Sequence, residues 1–190
     1  MSKSAGEKPW VEGRTIGQVL RETARRFPDN QAVILPSRGY RATYAEFEAQ
    51  VDRLARALLS LGLNKGDHLA VWAVNCPEWV LLQFATARVG VVLVTINPAY
   101  RSRELEYAIK QSDAKVLAMS QSFKANDYLQ ILGEICPGYA AGTPGRPCSP
   151  DFPELRWIIP LWDVDSPGLL DWKALLERAD QVGPDQLAAR

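Results

Sequence analysis

The sequence has no long apolar run, and its 22 basic residues are balanced by 22 acidic ones. No segment approaches the roughly 18 consecutive apolar residues that a membrane-spanning helix needs. The polar opening, residues 1–8, also lacks the apolar stretch of a secretory signal. We therefore expect a cytoplasmic protein, with a mitochondrial location left open. The absence of net charge argues against nucleic acid or an anionic membrane as a partner.

Cysteine and histidine are also scarce. Cys76, Cys136 and Cys148 are odd in number and widely separated, so they match neither a disulfide framework nor a zinc-ligand pattern. We expect ordinary reduced thiols. His68 is the only histidine, and no serine or cysteine stands beside it in a recognisable catalytic motif. A structural role is therefore favoured for His68.

Hydrophobic residues make up 47% of the chain, which is enough for a substantial core. Capping-box pairs at Thr15/Gln18 and Thr43/Glu46 predict the starts of two amphipathic helices. In the first helix, one apolar face is predicted, and its members are Ile16, Val19, Leu20, Thr23 and Phe27. Between the two helices, short strands at Ala32–Leu35 and Tyr40–Ala42 favour a hairpin.

The middle of the chain alternates apolar strands with helices. Leu69–Val74, Val91–Ile96 and Val116–Met119 read as buried strands, because parallel strands covered on both faces are apolar at nearly every position. Pro77 suits the first turn of the helix that Gly90 ends, and Ser102 is a candidate cap for the next helix. Right-handed β-α-β crossovers then predict one parallel sheet with helices on both sides.

The remainder of the chain is less regular. A helix is predicted near Phe123–Ile135, followed by a proline- and glycine-rich loop over 137–154 and a strand over Leu155–Leu161. A short amphipathic helix then runs to Ala179, before a polar, frayed end. We divide the chain into a flexible amino terminus (1–13), one partial subdomain (14–180) and a polar tail (181–190).

Two stretches resemble core motifs of the adenylate-forming, AMP-binding ligase superfamily, and especially of its medium-chain fatty acyl-CoA synthetases. They are Thr43–Phe47 and Gly90–Pro98, and the likeness continues at Tyr100, Glu104, Leu105 and Tyr107. The resemblance runs from about Thr15 to Ala179 but covers only the first third of that family's fold. It implies an α/β, layered parallel-sheet N-terminal subdomain of the adenylate-forming (acyl-CoA synthetase-like) fold, which is incomplete here.

The complete enzymes of this family join a carboxylate to ATP, release pyrophosphate, and pass the acyl group to coenzyme A. Because both reactants are anionic, the site must neutralise charge and align the attack. The resemblance places the family's phosphate loop, Mg²⁺-binding glutamate, ribose-binding aspartate and catalytic lysine downstream of this region. ATP, Mg²⁺ and CoA, with a fatty or other carboxylic acid as substrate, are thus implied for the complete enzyme. We expect the chain alone to bind none of these cofactors and to be inactive.

One stretch, Gly142–Pro147, superficially resembles the family's phosphate loop. We do not assign it, because a phosphate loop follows a strand and presents backbone donors, whereas Pro144 lacks a donor. Cys148 also stands where the family has lysine. A surface loop explains these residues better.

Arg101 and Arg103 are the only ligand-binding candidates. In relatives, basic residues just after the Asn-Pro turn lie near the 3′-phosphate of coenzyme A, and the guanidinium fork suits a phosphate. The alternative is a pair of solvated arginines. Asn75–Pro77 follows a strand but has no glycine for close approach of a phosphate, and Trp72 and Trp79 are expected in the core.

Two other classes of protein stay open. The chain could be a non-catalytic interaction module that pairs with a full-length relative, or that self-associates through an exposed core. It could also be an unrelated doubly wound nucleotide-binding domain, although the missing glycine-rich turn argues against this.

Overall fold

A four-stranded parallel sheet forms the centre of the computed structural model, which describes residues 13–188. Two short antiparallel pairs lie outside this sheet. The central strands are β3 (His68–Trp72), β4 (Val92–Ile96), β5 (Val116–Met119) and β8 (Trp157–Pro160), in the order β4-β3-β5-β8. The pairs are β1 (Gln31–Leu35) with β2 (Tyr40–Thr43), and β6 (Ser122–Phe123) with β7 (Asn126–Asp127).

Helices precede, connect and follow these strands. They are α1 (Ile16–Arg26), α2 (Tyr44–Ser60), α3 (Pro77–Val89), α4 (Ser102–Ser112), α5 (Tyr128–Ile135), α6 (Trp172–Glu177) and α7 (Pro184–Ala188). Short 3-10 turns lie at Pro36–Arg38, Tyr139–Ala141 and Arg178–Gln181. Across residues 13–188, none of the helices has both the length and the apolar character needed to cross a membrane.

Two hydrophobic clusters pack on opposite faces of the sheet. Leu69 and Val71 of β3 contribute to a cluster with α1, α2, α3 and α6. Ala70 and Trp72 of the same strand contribute to the other cluster, together with α4 and α5. Neighbouring side chains of a strand point to opposite faces, so both faces of β3 are buried. The predicted three-layer α/β fold with a parallel sheet is confirmed.

The helix starts and ends that were predicted from capping residues, proline and glycine are confirmed. Thr15 and Thr43 both form complete capping boxes, with Gln18 and Glu46. Pro77 is the first residue of α3, and the Gly90 that ends this helix is in the left-handed conformation with φ +74°. These features depend on neighbouring residues alone, so they could be predicted.

The predicted apolar face of α1 is correct only in part, because Leu20 is buried and Val19 and Thr23 are half-buried but the two end residues are not. Ile16 is 56% exposed and Phe27 is 42% exposed, whereas Gly17, Leu20 and Ala24 are buried. The small residues let the backbone of α1 approach its neighbours closely, and a Cβ on Gly17 would lie 3.5 Å from the Cα of an α3 residue. Close approach of the helix backbone thus adds the small residues Gly17 and Ala24 to the buried face beside Leu20.

The expectation that Val91–Ile96 is a fully buried strand is also wrong. Strand β4 lies at the edge of the sheet, and Val92 is 45% exposed. Thr95 is exposed as well, and Ile96 is the buried residue of the strand. An apolar run thus marks a strand that is only partly covered within the described residues.

The helix predicted over Phe123–Ile135 begins later than expected. Residues 122–127 form the β6–β7 pair, in which Lys124 has a positive φ of 53°. The Asp127 side chain then accepts a hydrogen bond from the Gln130 amide at 3.0 Å and caps α5. Similarly, Ser102 is not the cap of α4 but its first residue, because Arg101 occupies the cap position. In both cases the N-cap is a different residue from the one predicted, namely Asp127 for α5 and Arg101 for α4.

Two further expectations fail. Cys136 and Cys148 form a disulfide, and Cys76 is a free, buried cysteine. The fold brings the end of α5 beside the segment before β8, which sequence spacing does not reveal. The predicted polar, frayed end instead contains α7, with Val182 and Leu187 buried. The flexible segment predicted over 1–13 lies, apart from its last residue, outside the described residues.

Candidate functional site

The turn before α4 is fixed by two stacked aromatic side chains. The rings of Trp72 and Tyr128 lie 3.5 Å apart between centroids with an interplanar angle of 7°. The indole Nε1 of Trp72 donates to the Asn97 carbonyl at 3.2 Å, and the Tyr128 hydroxyl donates to the Pro98 carbonyl at 2.7 Å. Burial raises the pKa of Tyr128 to about 12, so its hydroxyl stays a donor at neutral pH. The buried core therefore holds the Asn-Pro turn in place.

Arg101 and Arg103 follow this turn, where α4 begins. Both side chains are exposed and line a cavity of about 440 Å³ between the start of α4, the β6–β7 pair and α5. Neither guanidinium forms an ion pair with any residue that the structure describes. The structure thus brings the two predicted arginines to one cavity and leaves their donors accessible.

Carboxylates share the same cavity. Glu104, Asp127 and Glu134 line it with the two arginines. The Glu104 carboxylate accepts a hydrogen bond from the Arg101 backbone amide at 3.2 Å, and Glu134 accepts one from the Ser102 hydroxyl. With three carboxylates against two guanidinium groups, the lining of the cavity carries an excess of negative charge, so no long-range field attracts an anion to it.

The remaining sequence candidates have structural positions. His68 Nδ1 lies 2.5 Å from the Ser112 carbonyl, linking β3 to the end of α4. Trp72 is fully buried, and Trp79 is half-buried against the cluster on the α2 side of the sheet. These placements agree with the packing roles predicted for them.

The stretch Gly142–Pro147 does not form a phosphate loop. It follows a 3-10 turn instead of a strand, and the Gly145 amide already donates to the Arg156 carbonyl at 2.9 Å. Cys148 is held in the disulfide. Across residues 13–188 there is also no group of three histidine, cysteine or acidic side chains suited to a metal ion.

A second cavity, of about 290 Å³, lies at the carboxyl ends of the central strands. Ser120, after β5, and Cys76, before α3, are its buried residues, and Arg38 stands at its exposed rim. Burial raises the pKa of the Cys76 thiol to about 11. Sequence reasoning missed this site because it considered only dinucleotide binding at Asn75–Pro77, and the order of the strands was not yet known.

Comparisons with known proteins agree with this architecture. Residues 20–144 match the family described as AMP-binding enzyme. The chain is 40% identical over 158 residues to the Bacillus subtilis protein YngI, which is named as an acyl-CoA synthetase, and covers 29% of its length. It is also 40% identical over 163 residues to human medium-chain acyl-CoA ligase ACSF2, a mitochondrial protein, and covers 26% of it. These segments are 83% and 86% of this chain.

Solved structures show the same relationship. The N-terminal domain of FACL13 from Mycobacterium tuberculosis matches with a TM-score of 0.61 and 26% identity, over 91% of this chain and 38% of that one. The anthranilate CoA ligase AuaEII, solved with anthranoyl-AMP, shares the fold with a TM-score of 0.71 at 20% identity, over 86% of this chain and 28% of that one. The chain belongs to the AMP-binding enzyme family, and it corresponds to an amino-terminal part of that family's acyl-CoA ligases.

Proposed function

We propose that the chain is the amino-terminal portion of an ATP-dependent fatty acid-CoA ligase. Such an enzyme activates a carboxylate as its adenylate and then transfers the acyl group to the thiol of coenzyme A. The observation that carries this proposal is the 40% identity to a medium-chain acyl-CoA ligase over 163 residues. That identity extends over 86% of this chain, so it reflects the common scaffold rather than one short motif.

We further propose that this portion has no ligase activity by itself and binds none of ATP, Mg²⁺ and CoA tightly. The resemblance assigns the phosphate-binding and metal-binding groups to segments downstream of the matched region. Without them, nothing offsets the repulsion between a carboxylate and the phosphates of ATP. ATP–pyrophosphate exchange by the purified chain, measured with a panel of fatty acids beside an intact ligase as positive control, tests this. Exchange that rises above the no-enzyme background refutes it.

Arg101 and Arg103 are proposed as contacts to the 3′-phosphate of coenzyme A in the complete enzyme. Their exposure, their position after a fixed turn and their unpaired guanidinium groups support this role. The nearby carboxylates imply that further groups contribute to affinity. Replacing both equivalent residues by alanine in an intact relative should weaken CoA binding by about tenfold or more.

Dephospho-CoA provides the control for these arginines. It lacks the 3′-phosphate, so the double alanine variant should bind it as the parent enzyme does. An unchanged affinity for CoA itself, or an equal loss for both ligands, contradicts the assignment.

A second candidate function is a non-catalytic module that pairs with a full-length relative. The exposed edge strand favours it, since β4 pairs with β3 on one side only and carries Val92 at 45% exposure. Tyr107 of α4, at 68% exposure, adds apolar surface. Two measurements distinguish a full-length relative from a second copy of the chain as the partner. They are co-purification of the tagged chain with an intact relative, and self-association of the chain alone at the same concentration. A chain that stays monomeric in both mixtures excludes the module.

A cytoplasmic location is proposed as well, with the mitochondrion as the alternative. Human ACSF2 is named as mitochondrial, whereas YngI is bacterial. Fractionation of cells that express the natural gene decides between the two compartments.

A further inference from the structure

The segment between Cys136 and Cys148 has few contacts of its own with the core. None of residues 137–147 is buried, and Tyr139 is the residue among them that packs partly against the hydrophobic cluster on the α4 side of the sheet. Cys136, by contrast, is fully buried in that cluster. A segment with few buried contacts opens at a lower free-energy cost than the core beside it. The closed position of this segment therefore depends on its other links to the fold.

Backbone hydrogen bonds provide a weak link. The Gly145 amide donates to the Arg156 carbonyl at 2.9 Å, and the Ala140 carbonyl accepts a hydrogen bond from the Gly168 amide at 3.2 Å. Because Arg156 and Ala140 are exposed, water competes for both bonds, and each contributes little net free energy. The Cys136–Cys148 disulfide is consequently the strongest connection between the segment and the core.

The residue after Cys148 makes the closed position locally unfavourable. Ser149 Oγ is buried and has no hydrogen-bond partner among residues 13–188. A buried hydroxyl without a partner loses its hydration and gains nothing in return. Opening the segment would return this hydroxyl to water, so the disulfide holds the segment closed against a local cost.

The cysteines differ in their access to external thiols. Cys136 is fully buried, whereas Cys148 is half-buried and lies near the exposed Pro147 and Pro150. Cys76 is 5% exposed, and burial raises the pKa of its thiol to about 11, so at neutral pH it is neither accessible nor ionised enough to attack the disulfide. Reduction therefore begins with an external thiol at Cys148.

We propose that the Cys136–Cys148 disulfide is a reversible redox switch, which keeps residues 137–151 closed when oxidised and lets them open when glutathione reduces it. Phe152, which is 3% exposed, marks the end of the segment that opens. Where reduced glutathione is abundant, as in the cytoplasm proposed above, disulfides are mostly transient and redox-sensing, whereas structural disulfides resist reduction by this pool.

Reduction proceeds by two thiol–disulfide exchanges. A glutathione thiolate attacks Cys148 Sγ, the bond between the two cysteine sulfurs breaks, and its electron pair leaves on Cys136 Sγ, which takes up a proton. A second glutathione thiolate then attacks the glutathione sulfur of the mixed disulfide. Oxidised glutathione leaves, and Cys148 Sγ takes up a proton. Two thiols are thus oxidised to one disulfide while the cysteine pair is reduced, and an excess of oxidised glutathione reverses both steps.

This switch is separate from the proposed ligase activity. It involves neither Arg101 nor Arg103, and it requires none of the groups assigned to adenylation. Its failure would leave the proposed function unchanged, and a failed pyrophosphate-exchange assay would not affect it.

Equilibration of the full 190-residue chain with mixtures of reduced and oxidised glutathione tests reversibility. Acid-quenched samples are denatured and labelled with a maleimide carrying polyethylene glycol, so that gel mobility distinguishes one free thiol in the oxidised chain from three in the reduced chain. We expect reduction at about 10 mM reduced and about 0.1 mM oxidised glutathione, and renewed oxidation when the oxidised form is in excess. A disulfide that stays intact under the first condition, or that fails to form again under the second, overturns the proposal.

Limited proteolysis tests whether reduction opens the segment. Elastase cleaves after small residues, and Ala140 and Ala141 are exposed within the segment. The reduced chain, alkylated with iodoacetamide and freed of reagents, should be cut there at least about tenfold faster than the oxidised chain. Cleavage after Ala125, which is exposed outside the segment, should keep its rate. Equal rates at Ala140 in both forms, or the same increase at Ala125, overturn the proposal.

Matched cysteine variants locate the effect. Cys148→Ser should be cut after Ala140 as fast as the reduced wild-type chain, even in oxidised glutathione, because it cannot form the disulfide. Cys76→Ser should keep the wild-type difference between oxidised and reduced forms, since Cys76 is outside the disulfide. Circular dichroism checks that both variants are folded, and the glutathione titration of the wild-type chain needs neither of them. Slow cleavage of Cys148→Ser, or loss of the redox response in Cys76→Ser, contradicts the assignment.

Discussion

The buried ion pair between α2 and α3 gives the sharpest test of how this scaffold is held together. The Arg88 side chain is 3% exposed, and its Nη2 donates to the Glu48 carboxylate at 2.6 Å. Asp52 lies farther away, at 3.5 Å from Nη1. Arg88 Nε and Nη1 have no hydrogen-bond partner within the described part of the chain. Most of the compensation for burying this cation therefore comes from Glu48.

Glu48→Ala should consequently cost much more than a surface mutation. Removing one partner of a buried pair leaves an uncompensated charge and costs about 3–5 kcal/mol in fully buried cases. Because Glu48 is 19% exposed and Asp52 stays near, we expect about 2–3 kcal/mol of unfolding free energy to be lost. Arg88→Met removes the cation itself and should cost less. The double variant should then be more stable than Glu48→Ala alone.

Urea denaturation followed by circular dichroism and tryptophan fluorescence measures these differences. The exposed Glu106–Lys110 pair, with an oxygen–nitrogen distance of 2.7 Å and both side chains 43% exposed, is the matched control. Its removal should leave the unfolding free energy nearly unchanged, because water screens an exposed ion pair. If Glu48→Ala and the control have equal effects, or if the double variant is the least stable of the set, the reasoning about uncompensated burial is refuted.

Three further perturbations test individual features of the fold. Cys148→Ser removes the disulfide that closes a loop of 12 residues, and should lower the unfolding free energy by up to about 3 kcal/mol. If the stability of the wild-type chain does not change when reductant is added, this prediction is wrong. Gly90→Ala, at φ +74° and with its new Cβ 2.9 Å from the Lys65 side chain, should cost about 1–2 kcal/mol in the same denaturation assay. Burial acts to raise the pKa of Asp67, but hydrogen bonds from Lys115 and the Asn64 amide outweigh it, so the pKa is lowered overall. Asp67→Asn should therefore cost about 1 kcal/mol at pH 7. The difference should begin to shrink near pH 4, the ordinary carboxyl value, and disappear only as the pH falls through the lower pKa of the folded state. A difference that stays constant with pH would contradict the ion pair.

Features that depend on a few neighbouring residues could be predicted from the sequence. The capping box at Thr43, the proline start of α3 and the end of that helix at Gly90 were all predicted from local chemistry. The alternation of strands and helices likewise led to the parallel sheet and its two covered faces. Resemblance to a family then supplied the functional class, which composition and periodicity alone did not contain.

Features that depend on distant residues could not be predicted. Val92 belongs to an apolar run, but its exposure follows from the place of β4 at the edge of the sheet. The Cys136–Cys148 disulfide requires the end of α5 to meet the segment before β8, and the spacing of three cysteines carries no such information. The cavity of about 290 Å³ at the carboxyl ends of the central strands also depends on strand order, and the β-α-β pattern alone allows several strand orders.

The stacked rings of Trp72 and Tyr128 have a consequence for the nearby arginines. Each aromatic side chain donates a hydrogen bond to one carbonyl of the Asn97–Pro98 bend. The bend therefore cannot move outward without breaking these bonds or pulling an aromatic side chain out of the interior. The position of the Arg101 backbone is thus determined by side chains of the hydrophobic core. Substitution of polar residues at the rim of its cavity should leave the backbone of the bend in place. Substitution of one buried ring, by contrast, should change the orientation of the residues at the rim.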